Sequence, residues 1–262
     1  MKLATLTSGA PVRLDDDGAE LLPGRLVDHL CREPHPPSGR RIPLDEVRLG
    51  PPIARPGKIV CVGLNYRDHA AETGAPLPEK PLLFNKLPTC VIGPGEQIPM
   101  PDYEGARLDH EAELAVIIGR PAHGVEEDEA LEHVGGFACF NDVSERTAQK
   151  GDGQWLRGKS LPGFAPFGPH VVTPDEVGDP QSLAIRCLVN GQPRQESSTS
   201  EMVFSVAFLV SYISRFFPLE PGDVIATGTP SGVGLGSGVY LRRGDEVAVE
   251  IEKVGRLTNV VV

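Results

Sequence analysis

Glycine and proline recur along the whole chain, and they limit how long any helix or strand can run. The 262 residues include 30 glycines and 26 prolines, more than a fifth of the total, and these are not gathered into a low-complexity tract. Both residues interrupt regular backbone pairing and favour turns. The chain is therefore predicted to form many short strands separated by turns.

The first part of the chain differs in texture from the remainder. Residues 34–56 carry seven prolines, a density that blocks helix continuation and strand pairing, so this segment is predicted to be an extended connector. The elements predicted before it are a hairpin around Lys2–Thr5 and Val12–Leu14 and a short helix at Arg25–Leu30. We divide the chain into a small N-terminal appendage, residues 1–50, and a main domain, residues 57–262.

The main domain is predicted to be rich in β-structure with peripheral helices, a β-rich α+β fold. Its strands are β-branched runs bounded by glycine, proline or asparagine, at 58–62, 111–118, 137–141, 183–189, 223–226, 245–252 and 257–262. Its helices are predicted at 66–73, 127–134, 144–149 and 201–216. The last helix has apolar residues at the spacing of one buried face. Asn190-Gly191 is a strong hairpin signal after the strand at 183–189.

The charge of the chain excludes some classes of partner. With 25 basic and 36 acidic residues the net charge is −11 and no basic stripe offsets it, which argues against a nucleic-acid partner. No segment approaches the roughly 20 apolar residues that span a membrane, and the N-terminus lacks the apolar core of a signal peptide. The five cysteines form no C-x-x-C pair. We expect inert thiols and a cytoplasmic location.

Acidic side chains stand at the head of a hydrophobic segment, D-H-E-A-E-L-A-V-I-I (109–118). Side chains alternate between the two faces of a strand, so Asp109, Glu111 and Glu113 are predicted to share one face. Neighbouring buried carboxylates repel one another, and a hard divalent cation such as Mg²⁺ or Ca²⁺ relieves that repulsion. The alternative for this segment alone is a solvated acidic strand end.

Another carboxylate follows a second uncharged segment. The run G-G-F-A-C-F (135–140) should be buried, yet it leads directly into Asn141 and Asp142. A carboxylate at the end of a buried strand needs a cap, a cation or a metal ion as its partner. Asp142 is therefore either a ligand of the same cation or the N-cap of the helix predicted next.

Two further segments contain side chains suited to acid–base chemistry. If N-Y-R-D-H-A-A-E (65–72) is helical, His69 and Glu72 share a face, and such a pair can hold and deprotonate a water molecule. The alternative is an exposed histidine on a short helix. Lys159, in W-L-R-G-K-S (155–160), could neutralise a substrate carboxylate or an enolate oxygen, or be a solvated loop lysine.

Two other motifs are dismissed. The segment G-V-G-L-G-S-G (232–238) lacks the spacing of a nucleotide-binding loop and no helix is predicted after it, so we expect a flexible loop near the site. Ser231 has no G-x-S-x-G context, which argues against a serine hydrolase.

Taken in order, these segments resemble the fumarylacetoacetate hydrolase (FAH) family, over roughly residues 57–262. The matching motifs are G-L-N-Y-R-D-H-A-A-E (63–72), F-N-K (84–86), D-H-E-A-E-L-A-V-I-I-G (109–119), G-G-F-A-C-F-N-D-V-S-E-R (135–146), W-L-R-G-K-S (155–160), N-G (190–191) and G-D-V-I-A-T-G-T-P-S-G-V-G (222–234). The chain lacks the long N-terminal domain of the animal tyrosine-degradation enzyme. It looks more like the short members that act on acylpyruvates, oxaloacetate or hydroxy-dienedioates.

The resemblance implies a role for each candidate residue. It implies a metal site, usually Mg²⁺ with Mn²⁺ or Ca²⁺ possible, at Glu111, Glu113 and Asp142, and a catalytic set of His69, Glu72 and Lys159. It implies substrate contacts from Lys86, Arg146, Gln149 and Thr229. It also implies the family's β-roll fold and a homodimer.

These expectations define a hypothesis with alternatives. The chain is predicted to act on a small 2-oxo or 1,3-dioxo acid through a metal-bound enolate, with C–C bond hydrolysis of an acylpyruvate-type substrate as the first choice. Oxaloacetate-type decarboxylation and isomerisation of a 2-hydroxyhepta-2,4-diene-1,7-dioate-type substrate use the same apparatus, and a lyase acting on ureidoglycolate-like substrates is a further enzyme alternative. The alternative of another class is a non-catalytic, metal-stabilised binding module.

Overall fold

The computed structural model describes residues 1–30, 39–151 and 153–262. Its strands are β1 (Lys2–Thr5), β2 (Pro11–Asp15), β3 (Gly18–Leu21), β4 (Arg41–Pro43), β5 (Ile59–Gly63), β6 (Leu82–Lys86), β7 (Val91–Ile92), β8 (Gln97–Ile98), β9 (Leu108–Asp109), β10 (Ala112–Ile118), β11 (Val134–Asn141), β12 (Ser144–Glu145), β13 (Ala165–Val172), β14 (Ala184–Val189), β15 (Gln192–Ser198), β16 (Val224–Ala226), β17 (Glu246–Ile251) and β18 (Gly255–Val261).

Helices are short and lie around the strands. The α-helices are α1 (Arg67–Thr73), α2 (Arg146–Gly151), α3 (Trp155–Lys159), α4 (Pro174–Val177), α5 (Val206–Ser214) and α6 (Gly234–Ser237). Single 3₁₀ turns occur at Leu26–His29, Leu44–Glu46, Pro88–Cys90, Ala130–His133 and Thr199–Glu201. The β-rich fold with peripheral helices predicted from the sequence is confirmed. Among the described residues, no helix has the length and apolar character needed to cross a bilayer.

Two sheets pack face to face and enclose the core. The larger sheet has the order β4-β3-β2-β1-β13-β11-β10-β16-β5-β6, with β7 paired in parallel to β13. The smaller sheet has the order β15-β14-β17-β18-β8. Strands β10, β11 and β13 of the first sheet pack against β14, β17 and β18 of the second. The apolar side chains between these layers form the main hydrophobic core.

The central pair of strands, β10 and β11, determines where the functional residues lie. Both are buried along their whole length, as expected for runs with almost no charged side chain. They pair antiparallel, with Ala112 opposite Asn141 and Glu113 opposite Phe140. The first residues of β10 therefore lie beside the residues that follow β11, and the acidic side chains of both segments meet at one end of the pair.

The N-terminal strands extend the larger sheet. Strand β1 pairs with β13, with Lys2 opposite Val172, and the predicted hairpin of β1 and β2 is present. These strands also enclose a small cluster of their own, formed by Ala4, Val12 and Ala19. Within the segment predicted to be an extended connector, Arg41–Pro43 instead pairs with β3, while residues 34–38 lie outside the described residues. The division into an appendage and a main domain stays a prediction.

Most predicted strands are present within a few residues of their predicted ends, and the helices differ more. The segment predicted as a helix at 127–134 forms only the 3₁₀ turn at Ala130–His133. The predicted 201–216 helix begins at Val206, because the Ser205 side chain accepts the backbone N–H of Phe208 at 3.1 Å and caps it there. Ser144–Glu145 pairs with β9, so the next helix begins at Arg146.

Candidate metal centre

Three carboxylates converge where β10 begins and β11 ends. Ligand oxygens of Glu111, Glu113 and Asp142 all lie within 4.8 Å of one another, and all three residues are buried. The backbone holds them there, because the N–H of Asp142 donates to the carbonyl of Glu111 at 2.9 Å. The side-chain oxygen of Asn141 in turn accepts the N–H of Glu111 at 3.0 Å. The antiparallel register thus brings together residues about 30 positions apart.

Two of these carboxylates are paired with buried cations. The ammonium of Lys159 lies 2.7 Å from Glu111 Oε2 and 2.7 Å from Asp142 Oδ2. Lys86 Nζ donates to Asp142 Oδ1 at 2.5 Å, and Arg146 donates to Glu111 Oε1 at 2.6 Å. Burial raises the pKa of Glu111, but Lys159 and Arg146 outweigh it and lower the value to about 2. Burial likewise disfavours the Lys159 ammonium, yet Asp142 and Glu111 raise its pKa above the ordinary value.

Glu113 is the exception among the three. Its Oε2 accepts the backbone N–H of Gly228 at 3.0 Å, and no lysine or arginine contacts it among the residues that the structure describes. Burial, followed by repulsion from Asp142 and Glu111, raises the pKa of Glu113 well above its ordinary value. Such a carboxyl takes up a proton when no cation is present.

The donor set fits a hard divalent cation. Carboxylate oxygens are the ligands that Mg²⁺, Mn²⁺ and Ca²⁺ prefer, and a cation beside Glu113 would take the place of its proton. The Lys159 ammonium contacts two of the three carboxylates through one oxygen each. Because a carboxylate offers about four lone-pair sites, these contacts leave sites for a metal ion on the same groups.

The predicted histidine–glutamate pair, His69 and Glu72, lies on α1 at the edge of the same site. His69 Nδ1 lies 3.3 Å from Glu72 Oε2, and His69 is buried. The other oxygen of Glu72 accepts the backbone N–H of Gly232 at 3.0 Å. Asp68 anchors the start of the helix, since it accepts the N–H of His69 at 2.7 Å and the hydroxyl of Ser197 at 2.6 Å. The imidazole is therefore held by a carboxylate that is itself held by the loop after β16.

One cavity of about 250 Å³ is lined by His69 and by two of the three carboxylates, Glu111 and Glu113. Its other polar lining residues include Arg146, Gln149, Lys159 and Thr229. The rings of Phe84 and Trp155 also line it and meet edge to face at 5.2 Å between centroids. Lys159 Nζ lies 5.0 Å from the Phe84 centroid, in range of a cation–π contact. A small ligand would therefore contact both charged groups and apolar surface.

The four predicted substrate contacts separate into two groups. Arg146, Gln149 and Thr229 line the cavity; Arg146 donates to the Gln149 side-chain oxygen at 2.9 Å, and the Thr229 hydroxyl donates to the carbonyl of Ala112 at 2.9 Å. Lys86 differs, because its ammonium is fully buried between Asp142 and the carbonyl of Val143. Lys86 therefore contacts a carboxylate of the centre from behind, away from the cavity.

Asp109 does not join the three carboxylates, although strand alternation predicted the same face. Asp109 belongs to β9, where it pairs with Ser144 of β12, so its direction does not follow the alternation of β10. Its carboxylate accepts Arg146 Nε at 2.8 Å and the backbone N–H groups of Gly234 and Leu235 at 2.6 and 2.9 Å. These two amides belong to α6, a helical turn within the glycine-rich loop in which the sequence predicted no helix.

Sequence reasoning also missed Gln195, a buried residue of β15. Its side-chain oxygen accepts the N–H of Ala112 at 2.9 Å, and its amide nitrogen donates to Thr229 Oγ1 at 2.8 Å and to the carbonyl of Pro230 at 2.9 Å. Gln195 thus ties the start of β10 to the loop after β16. No pattern around this exposed strand distinguishes Gln195 from its polar neighbours, so the sequence carries no signal for it.

Comparison with known proteins gives consistent matches. The family profile described as fumarylacetoacetate (FAA) hydrolase C-terminal matches residues 58–262. The mitochondrial oxaloacetate tautomerase FAHD2A of Bos taurus is 44% identical over 225 residues, which cover 84% of this chain and 71% of that protein. The 2,4-didehydro-3-deoxy-L-rhamnonate hydrolase of a Sphingomonas strain is 47% identical over 214 residues, or 80% of this chain and 75% of that one.

A solved structure is similar over the whole length. The crystal structure of 5-carboxymethyl-2-hydroxymuconate delta-isomerase from Mycobacterium smegmatis superposes with a TM-score of 0.86 at 38% identity. The match covers 100% of this chain and 99% of that one. The N-terminal strands are therefore included in the structural similarity, whereas the family profile begins at residue 58.

The unpaired carboxylate predicts contrasting effects of two substitutions. Glu113→Gln should leave the metal-free protein at least as stable as the parent at neutral pH, because a neutral amide can keep the Gly228 hydrogen bond and needs neither a cation nor a bound proton. Glu111→Gln should lower the free energy of unfolding by about 3–5 kcal/mol, because it leaves Arg146 and Lys159 without a charged partner on that side. Thermal unfolding in EDTA measures both, and equal destabilisation would contradict the account.

A second measurement on the same variants concerns metal and pH. Mn²⁺ or Mg²⁺ should raise the melting temperature of the parent and not that of Glu113→Gln.

In EDTA, the folded-state pKa of Glu113 lies above its unfolded value, so its contribution to stability is present at low pH and is lost as pH rises through the folded-state pKa. The stability of Glu113→Gln relative to the parent should therefore increase with pH; a difference that is constant with pH would contradict a buried, protonated Glu113.

Proposed function

This chain belongs to the fumarylacetoacetate (FAA) hydrolase family, and from that premise we propose that it is a divalent-metal-dependent enzyme acting on a small 2-oxo or 1,3-dioxo acid. The reaction proposed first is hydrolysis of a C–C bond in an acylpyruvate-type substrate. One observation carries the proposal: three buried carboxylates lie together, one of them contacts no lysine or arginine of the described residues, and two of them line a cavity with His69, which contacts Glu72.

The charged lining of the cavity is suited to the oxo-acid portion of such a substrate. Glu111, Glu113 and Asp142 would hold the cation, which would polarise the oxo oxygen as a Lewis acid. Lys159 and Arg146 add positive charge beside them, and this charge favours a bound carboxylate and any negative charge that develops on the neighbouring oxygen. In a chain of net charge −11, an anionic substrate requires this local reversal of charge.

His69 is proposed as the general base. Glu72 accepts a hydrogen bond from Nδ1–H, which leaves Nε2 free to take a proton from water. The resulting hydroxide attacks the distal carbonyl of the substrate, and the bond between that carbon and the adjacent CH₂ breaks. The electron pair stays with the CH₂ carbon, which receives the proton from His69. The products are a carboxylic acid and a pyruvate-type acid, so one water is consumed and all atoms balance.

The apolar wall would then accommodate the acyl substituent. Phe84, Trp155 and Leu235 face the cavity, and an alkyl or aryl group would lose its contact with water there. Gly63 contributes space: a Cβ at this position would lie 3.1 Å from the Trp155 ring. A change at Trp155 should thus alter which acyl group is preferred more than the reaction itself.

A second candidate is favoured by the names of the relatives. An oxaloacetate tautomerase and a muconate-type isomerase are among the similar proteins, and both names describe proton transfer without C–C bond hydrolysis. Oxaloacetate-type decarboxylation belongs with them, because it too delocalises charge into an oxo-acid. These reactions would use the same carboxylates and Lys159, and they need no water activated by His69.

A substrate panel separates these reactions. His69→Gln should reduce acylpyruvate hydrolysis by about 10²–10⁴-fold, the usual cost of losing a general base, and should spare decarboxylation of oxaloacetate. Chelation with EDTA should abolish every activity, because all of them use the charge held by the three carboxylates. Initial rates with Mg²⁺ or Mn²⁺, measured on acylpyruvates, oxaloacetate and a hydroxy-dienedioate, test this.

The control is His123→Gln, since His123 is exposed and is not part of the cavity wall. Its rates should equal those of the parent. If no member of the panel is consumed with either metal ion, and chelation does not change thermal stability, the proposed enzyme function is refuted and a non-catalytic role is favoured instead.

A further inference from the structure

A second cavity, of about 310 Å³, lies apart from the candidate metal centre, and the linings of the two cavities share no residue. It is formed where the β14–β15 hairpin approaches the segment between α6 and β17. Its polar side chains are His110, Asn190, Arg194, Tyr240, Arg242 and Asp245. None of these residues takes part in the reaction proposed above.

The two arginines of this cavity, Arg194 and Arg242, are exposed. Within residues 1–30, 39–151 and 153–262, neither the Arg194 nor the Arg242 guanidinium forms an ion pair or a hydrogen bond. The carboxylate that lines this cavity among the described residues, Asp245, already accepts two hydrogen bonds. Its Oδ1 accepts the Asn190 side chain at 2.8 Å, and its Oδ2 accepts the backbone N–H of Arg242 at 2.7 Å. Both positive charges therefore remain available to a ligand.

The imidazole of His110 also lines the cavity. His110 is buried, with 2% of its surface exposed, and neither ring nitrogen forms a hydrogen bond to the described residues. Its Nδ1 lies 3.6 Å from Asp109 Oδ1, which is too far for a hydrogen bond. A ligand in the cavity would therefore meet an imidazole as well as the two guanidinium groups.

We propose that this second cavity binds a small oxyanion, either a carboxylate or a phosphate group, through Arg194 and Arg242. Guanidinium groups recognise both kinds of anion through paired, charge-assisted N–H···O contacts. Asn190 and the Tyr240 hydroxyl add neutral polar groups to the same wall. The site goes beyond the proposed function, because its ligand need not be the substrate and its occupancy can be measured without any turnover.

The position of the cavity places its ligand beside a segment that also borders the metal centre. Leu235 lines the first cavity and Leu241 lines the second. Between them the segment is fixed to β9, because the N–H of Leu235 donates to Asp109 and the N–H of Leu241 donates to the carbonyl of Leu108 at 2.8 Å. An anion bound at Arg242 should therefore slow backbone hydrogen exchange in residues 232–241.

Binding is tested on the full chain with inorganic phosphate and, separately, malonate, by isothermal titration at a constant ionic strength set with NaCl. The parent should bind at least one of them, and which one identifies the source of the oxyanion. Arg194→Gln combined with Arg242→Gln should weaken binding by about tenfold or more, the usual effect of losing a charge-assisted contact. Arg243→Gln is the matched control, because Arg243 is adjacent and exposed but outside the cavity wall.

Trp155 fluorescence distinguishes binding at this site from binding in the first cavity. It is the only tryptophan of the chain and lies in the wall of the metal centre, so an anion bound there should change its fluorescence. Binding that disappears in the double variant, persists in Arg243→Gln and leaves Trp155 fluorescence unchanged supports the proposal. It is overturned if neither anion binds, if the double variant binds as the parent does, or if Arg243→Gln loses binding equally.

Discussion

The burial of charge at one end of the β10–β11 pair is the constraint to which the rest of the site is fitted. The ionisable side chains gathered there are Asp109, Glu111, Glu113, Asp142, Lys86, Arg146 and Lys159. Four are acidic and three are basic, so the fully ionised cluster carries one excess negative charge. Removing a paired member, such as Glu111 or Lys159, would leave a buried charge uncompensated, which is far more costly than losing an exposed ion pair. The excess falls on Glu113, and a divalent cation would reverse the sign of the whole cluster.

The carboxylate positions could be predicted because they depend on local patterns. Apolar runs mark β10 and β11, and carboxylates stand at one end of each run. Glu111, Glu113 and Asp142 follow from this pattern together with the resemblance to the family, whereas the antiparallel pairing that brings them together is seen only in the structure. Asp109 does not follow, because it belongs to β9 and the pairing of β9 with β12 sets its direction. Lys86 also does not, because the sequence cannot indicate which side of Asp142 a buried ammonium approaches.

Contacts between residues far apart in the chain could not be predicted from the sequence. Gln195 joins residues 83 positions away, and the amides of Gly234 and Leu235 reach Asp109 across 125 and 126 positions. Side-chain to backbone hydrogen bonds of this kind leave no periodicity in the chain. They depend on how two sheets and one loop are placed in three dimensions, and that placement is the result of packing the whole core. The glycine-rich segment therefore looked like a flexible loop, although its amides bind two carboxylates.

That same segment connects the choice of reaction to the fold. The N–H of Gly232 holds Glu72, which holds His69, while Leu235 forms part of the apolar wall that a substrate would contact. A shift of this loop would move the base and the wall together, because both depend on one stretch of backbone. Under the proposed function, closure of this wall over a ligand would exclude water from Nε2 of His69 and leave proton transfer or loss of CO₂ as the available reactions. Space for one water beside Nε2 would make hydrolysis available to the same residues, so we expect the position of this loop to influence which of the proposed reactions occurs.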